Sequence, residues 1–231
     1  MRLREALILA LALASANAAS ATTWHNGDVV SYSESAWGDE PDGTNAASIL
    51  VANYPLVYAP FGIFEVGTGF SMTFGGYSTL LDYLPAIGTP GPLDTDLLDP
   101  MFSSSGGFGG NVSALKLDVD FADANVISGT SGLKFGDLRV YGLTTTPDLN
   151  NMRVRDALAV LQGALGGGPT SDSYDALNST ALELSGAFFE GTPSTFAQDH
   201  LQAPVPEPSM LLLLVSGVAV VAARRSRVRP T

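Results

Sequence analysis

Phe108-Gly-Gly-Asn-Val112-Ser-Ala-Leu115-Lys-Leu117-Asp-Val119-Asp-Phe121-Ala122 is the stretch on which the fold class turns. Read in twos, Leu115, Leu117, Val119 and Phe121 alternate with Lys116, Asp118 and Asp120, as in a strand with one buried face. Read at helical spacing, Phe108, Val112, Leu115, Val119 and Ala122 form a single stripe. The segment is longer than most strands, which favours the helix. Downstream the helical pattern is cleaner. Asn151 can cap a helix from Met152 to Leu165, with Val154, Leu158, Leu161 and Leu165 on one face and Gly166 to Gly168 as its stop. Ser173 can cap a second helix reaching Glu190, with Tyr174, Leu177, Ala181, Leu184 and Phe188 as its stripe and Gly191 behind it. The connection is short, so these two helices are expected to pair as an antiparallel αα-hairpin.

Upstream the signals are shorter. Asp28 to Tyr32 reads as a strand and Trp37 to Gly43 as a loop. Ser48 to Tyr58 fits strand or helix. Phe70 to Phe74 alternates as a half-buried strand. Ser78 can cap a short helix, Thr79 to Leu84, stopped by Pro85. Thr89 to Ser105 is full of turn formers and reads as loop. Leu138 to Tyr141 suits a strand or extended connector. The expectation is an α+β fold: a strand-rich N-terminal part packed on a C-terminal helical part that ends in the αα-hairpin. Residues 22–191 form one globular domain in this reading, and Thr192 to Pro204, polar and proline-rich, a linker.

Both ends carry address-like segments. Arg2 and Arg4 precede an apolar stretch, Ala6 to Ala14, and then Ala16-Asn17-Ala18 and Ala19-Ser20-Ala21. That is the build of a secretory signal peptide cut after Ala18 or Ala21. At the other end Val205-Pro206-Glu207-Pro208-Ser209 precedes an uncharged apolar run, Met210 to Ala223, and then Arg224, Arg225, Arg227 and Arg229. As a helix the run covers about 21 Å, short for a bilayer core of about 30 Å. Basic residues beside such a segment favour the cytoplasmic side, so the bulk of the chain is expected outside.

The order and spacing of residues 205–231 resemble the PEP-CTERM sorting signal of Gram-negative bacteria. The resemblance implies processing by an exosortase, contact with the membrane during sorting, and a producer that makes extracellular polysaccharide. Val205, Pro206, Glu207, Pro208 and Ser209 are then recognition residues for another enzyme, and Arg224, Arg225, Arg227 and Arg229 the basic stop after a transmembrane sorting helix. The core is similar, less sharply, to a region of uncharacterised secreted bacterial proteins, from Gly110 to Leu201. Val112 to Phe121, Val154-Arg-Asp-Ala-Leu158 with Leu165 to Gly168, Leu177-Asn178 and Ala187-Phe188 carry that likeness, with Trp37-Gly38 and Gly88-Thr-Pro-Gly91 upstream.

Composition narrows the chemistry. The net charge is −12, and removal of both ends takes away more bases than acids. Such a field repels nucleic acid and favours solubility. There is no cysteine, which excludes thiolate chemistry and cysteine-held metal. The only histidines, His25 and His200, sit near opposite ends of the mature chain, and no Gly-x-Ser-x-Gly elbow is present. Three acidic groups (Asp39, Glu40, Asp42; Asp94, Asp96, Asp99; Asp118, Asp120, Asp123) offer oxygen ligands of the kind calcium takes, without EF-hand spacing. Solvated acidic surface accounts for each of them more simply, and no cofactor or metal is assigned. Trp24, Tyr32, Trp37, Tyr54 and Tyr58 crowd the first part of the chain, where core packing competes with a glycan-binding face. Asn111-Val-Ser113 and Asn178-Ser-Thr180 fit a glycosylation pattern.

The reading is an exported, non-enzymatic cell-surface or extracellular-matrix protein, membrane-anchored as a precursor and sorted through its tail. Its alternative is an extracellular polysaccharide-binding module, calcium-assisted.

Overall fold

The computed structural model describes residues 23–204. The signal peptide expected at the N-terminus, the Val205–Ser209 motif, the apolar run and the four arginines lie outside the described residues. The described chain runs α1 (Glu34–Trp37), α2 (Ala46–Val57), β1 (Phe64–Val66), β2 (Met72–Phe74), α3 (Tyr77–Tyr83), β3 (Leu97–Leu98), α4 (Gly107–Asp123), β4 (Arg139–Val140), α5 (Val154–Leu165), α6 (Tyr174–Ser185), α7 (Thr195–His200) and β5 (Leu201–Gln202). Two 3-10 turns, Phe135–Asp137 and Pro147–Leu149, link the later elements. The fold class is α+β, with helices dominant and two small sheets.

Helix α4 is the axis of the core. Phe108, Val112, Ala114, Leu115, Leu117 and Phe121 are fully buried, on all sides of the helix. This explains why its sequence satisfied two periods: a helix enclosed all round carries apolar residues around its whole circumference. Helices α5 and α6 each pack chiefly on α4, and α1 lies against it too. The expected αα-hairpin is therefore corrected. The helices that follow one another in sequence are both drawn to the apolar axis, which offers more surface than either offers the other.

Both helix boundaries also shift. Asn151 is not a cap, since it adopts a left-handed φ of 66°. Arg153 precedes α5 with no side-chain cap bond. Ser173 does cap α6, its hydroxyl accepting from Ala176 N, but that helix stops at Ser185 before Gly186 rather than at Glu190.

The N-terminal part is more helical than strand-rich. Asp28 to Tyr32 makes only a single bridge, Ser31 to Phe189. Trp37, read as loop, ends α1. Ser48 to Tyr58 resolves as α2, capped by Asn45. Helix α3 begins after Gly76, not Ser78, and ends before Pro85 as expected. The predicted strand at Phe70–Phe74 is present as β2, paired antiparallel with β1 (Phe64 opposite Phe74). Its other edge pairs in parallel with β3, from the segment read as pure loop. The expected extended piece at Leu138–Tyr141 is β4, and it pairs with β5, Val140 opposite Leu201.

That pairing overturns the linker. Thr192–Pro204 carries α7 and β5, with Ala197 and Leu201 fully buried. The compact unit that contains the core extends to Ala203.

Candidate functional site

The two ends of the described chain meet. Trp24 N donates to Gln198 Oε1 at 3.1 Å, Gln198 Nε2 donates to Trp24 O at 2.8 Å, and Trp24 Nε1 donates to Leu201 O at 2.9 Å. The indole is 3% exposed and stands edge-on to Phe188, with ring centroids 5.1 Å apart. This clasp fixes β5 immediately before the sorting motif. Even fully extended, the chain from Gln202 to Val205 reaches only about 10 Å.

A second feature is an open groove with a cavity volume of about 370 Å³, lined by Tyr32, Ser33, Asp39, Phe189 and Glu190 among others. Two distant segments build it. Ser31 N donates to Phe188 O, Glu190 N donates to Ser31 O, and Phe188 N donates to Ser31 Oγ. Tyr32 N donates to Asp118 Oδ1 at 2.8 Å. The Tyr32 ring stands edge-on to Trp37 and to Phe189. Burial, then the carboxylates of Glu190 and Asp118, hold the Tyr32 phenol above its ordinary pKa, so it keeps its proton at neutral pH.

Behind these features lies a buried polar interior. Asp118 is fully enclosed. Its Oδ1 also accepts from Trp37 Nε1 at 3.1 Å, while Oδ2 has no partner. Burial pushes this carboxyl well above the ordinary aspartate range. Glu34 is 8% exposed and accepts from Ala86 N at 2.6 Å. Burial raises it to about 7, and the Ala86 bond only partly offsets that. Its carboxyl occupies the space a side chain at Gly110 would need: a Cβ there would lie 1.7 Å from Oε1. At the neighbouring Gly109, a Cβ would strike Ser105 Oγ and Tyr83 Oη, which join Ser103 in a hydroxyl chain. These groups are sealed into the packing, and they fix α1 and α3 to the first turn of α4.

The residues singled out in the sequence take mostly structural places. Trp37 is fully buried and Trp24 nearly so, so neither belongs to an exposed glycan face. Tyr54 donates to Phe74 O and Tyr58 to Asp120 Oδ2. Of that aromatic set only Tyr32 lines the groove.

The acidic groups are largely committed to the fold. Asp42 accepts from Thr44 N and Asn45 N, Asp96 from Ser71 N, and Asp99 from Gly75 N and Thr79 Oγ1. Asp120 pairs with Lys116 and Asp123 with Arg155. Among the described residues, no group of three His, Cys, Asp or Glu side chains is placed to hold a metal.

His25 is exposed, 3.5 Å from Asp28. His200 lies in α7, its Nδ1 3.0 Å from Tyr141 O. Asn111 and Asn178 face one another, Nδ2 to Oδ1 at 2.9 Å, so the two glycosylation-like sites are a packing contact. Phe189 and Glu190 were missed as site residues, because both were read as the end of a helix.

Among the described residues no helix is long and apolar enough to cross a membrane; the Met210–Ala223 run lies outside them. No curated protein and no solved structure matches the chain. Residues 204–227 match the PEP-CTERM protein-sorting motif, and the chain thus carries the signal by which exported proteins reach an exosortase and, through it, the cell surface or the exterior.

Proposed function

We propose that this is a non-enzymatic component of the cell surface or the extracellular polymer layer, held at the membrane as a precursor and released from that state by exosortase processing near Pro206. The observation that carries this reading is the Trp24–Gln198–Leu201 clasp. It places the end that follows the signal peptide beside the end that precedes the sorting motif. The two ends of the described chain, Trp24 and Leu201, thus lie side by side on the folded domain. The strongly acidic surface suits a protein kept apart from anionic lipid and soluble in a hydrated polymer. The commitment of Asp42, Asp96, Asp99 and Asp120 to structural bonds supports a role without catalysis.

The test is the intact mass of the mature protein from its native host, with and without the exosortase. Loss of the N-terminal leader in both strains, with loss of the tail only when the exosortase is present, is the expected result. An identical tail in both strains sinks the proposal.

A second reading, polysaccharide binding, is supported by the groove between Tyr32 and Phe189. The calcium-assisted form of that reading gains no support from Asp42, Asp96, Asp99, Asp120 and Asp123, whose carboxylates accept from backbone, hydroxyl or cationic donors.

A further inference from the structure

The groove joins features that the clasp and the core do not use. Phe189 is 41% exposed, although every residue from Ser31 to Glu190 that holds it in place is tied by backbone bonds. An aromatic ring kept at the surface by a fixed backbone is a preorganised contact face. Glu190, beside it, takes a left-handed φ of 50° and lines the groove. Asp39 also lines the groove. Among the described residues neither carboxylate has an ion-pair partner. Among the described residues the Tyr32 hydroxyl has no hydrogen-bond partner, and it remains a donor. The groove thus offers one stacking face, one neutral donor and two uncompensated negative charges.

We propose, resting on the polysaccharide-binding reading, that this groove binds a glycan bearing free amino groups, with the Phe189 ring against the sugar's C–H face and Glu190 and Asp39 facing its ammonium groups. The chemistry selects this class. An aromatic face takes up the apolar side of a pyranose, and it also attracts a cation at its ring. Asp39 and Glu190 are exposed, so each adds a charge-assisted contact to an ammonium that water and salt screen. The same charges repel uronic acids and phosphorylated sugars. A neutral glycan gains the stacking and the hydroxyl contacts but not the charge pairing, and should bind more weakly.

The experiment uses the full-length protein and three probes: a glucosamine hexamer, a neutral glucose hexamer and an alginate hexamer, titrated by calorimetry at low and at 0.5 M salt, the latter to shorten the range of charge interactions to roughly 4 Å. The expected order is glucosamine first, glucose at least about tenfold weaker, a factor worth about 1.4 kcal/mol, and alginate without binding. Salt should weaken only the glucosamine hexamer. Phe189→Ala is expected to weaken glucosamine and glucose alike, and Glu190→Gln to weaken glucosamine alone. Both substitutions are at exposed positions, and an unchanged melting temperature verifies the fold.

Equal affinity for glucosamine and glucose overturns the amino-sugar assignment. Binding that survives both substitutions overturns the groove while leaving the polysaccharide reading in place. No binding of any probe overturns both.

Discussion

Glu34 and Asp118 are carboxyls whose pKa values stand far above the ordinary range, and both shifts come from burial. A carboxyl whose folded pKa lies above its unfolded value binds its proton more tightly when folded. Its contribution to stability is therefore complete below the unfolded value and is lost as pH rises through the folded one. For Glu34 that window runs from its ordinary 4.5 to about 7; for Asp118 the loss begins from an ordinary 3.8 and extends well above it. The protein should thus lose stability between pH 5 and pH 8, opposite to what salt-bridged carboxylates produce. Glu34→Gln removes one titration and should flatten part of the slope, worth about 2 kcal/mol once partial solvent contact is allowed for. Asp118→Asn should likewise flatten the slope, and its amide oxygen can still accept from Tyr32 N and Trp37 Nε1. Urea melts at pH 5, 6.5 and 8 read this directly. Parallel pH curves for wild type and both variants would show that neither buried carboxyl titrates in this range. The sequence marked Asp118 only as one of an acidic group read as solvated surface and Glu34 not at all, because burial of a charge is decided by partners such as Ala86 and Trp37 that are remote along the chain.

The helices α5 and α6 were legible because each carries a single apolar stripe, and Ser173 was a true cap; α4 fitted strand and helix periods alike, and only its length favoured the helix. What failed was whatever depended on distant partners. The strand at Asp28–Tyr32 has the composition of a strand, yet its neighbour is the irregular chain at Phe189, and one bridge is all that forms. The segment Thr192–Pro204 looked like a linker because its composition is polar; its place in the core rests on Ala197, Leu201 and the indole of Trp24. No local window contains a contact between Trp24 and Leu201. The groove shared this fate, since Tyr32 and Phe189 come from opposite ends of the sequence, and of its walls only Tyr32 and Asp39 were singled out. If α7 and β5 are part of the fold, Trp24→Phe should cost about 1 kcal/mol for the lost buried hydrogen bond, and Trp24→Ala about 3–5 kcal/mol for the lost ring. Chemical denaturation of the two variants checks this. Wild-type midpoints for both would return Thr192–Pro204 to the status of a linker.

For the molecule as a whole, the folded unit stops at Ala203 and the sorting match starts at residue 204. No spacer separates what folds from what is processed. Folding and sorting therefore use adjoining but separate residues, and removing the signal should leave the fold intact. A chain ended after Pro204 keeps Trp24, Gln198, Leu201 and every contact of β5 with β4. It is expected to be exported through its leader, to melt within about 1 °C of the processed wild-type protein since only stability changes of a few tenths of a kcal/mol follow from losing an end outside the core, and to appear in the culture medium instead of the cell-surface fraction. Fractionation of cells expressing the two forms, with melting curves on each, is the measurement. A truncated chain that still collects at the surface would place retention in the domain itself. One that melts much lower would mean that residues beyond Pro204 belong to the fold.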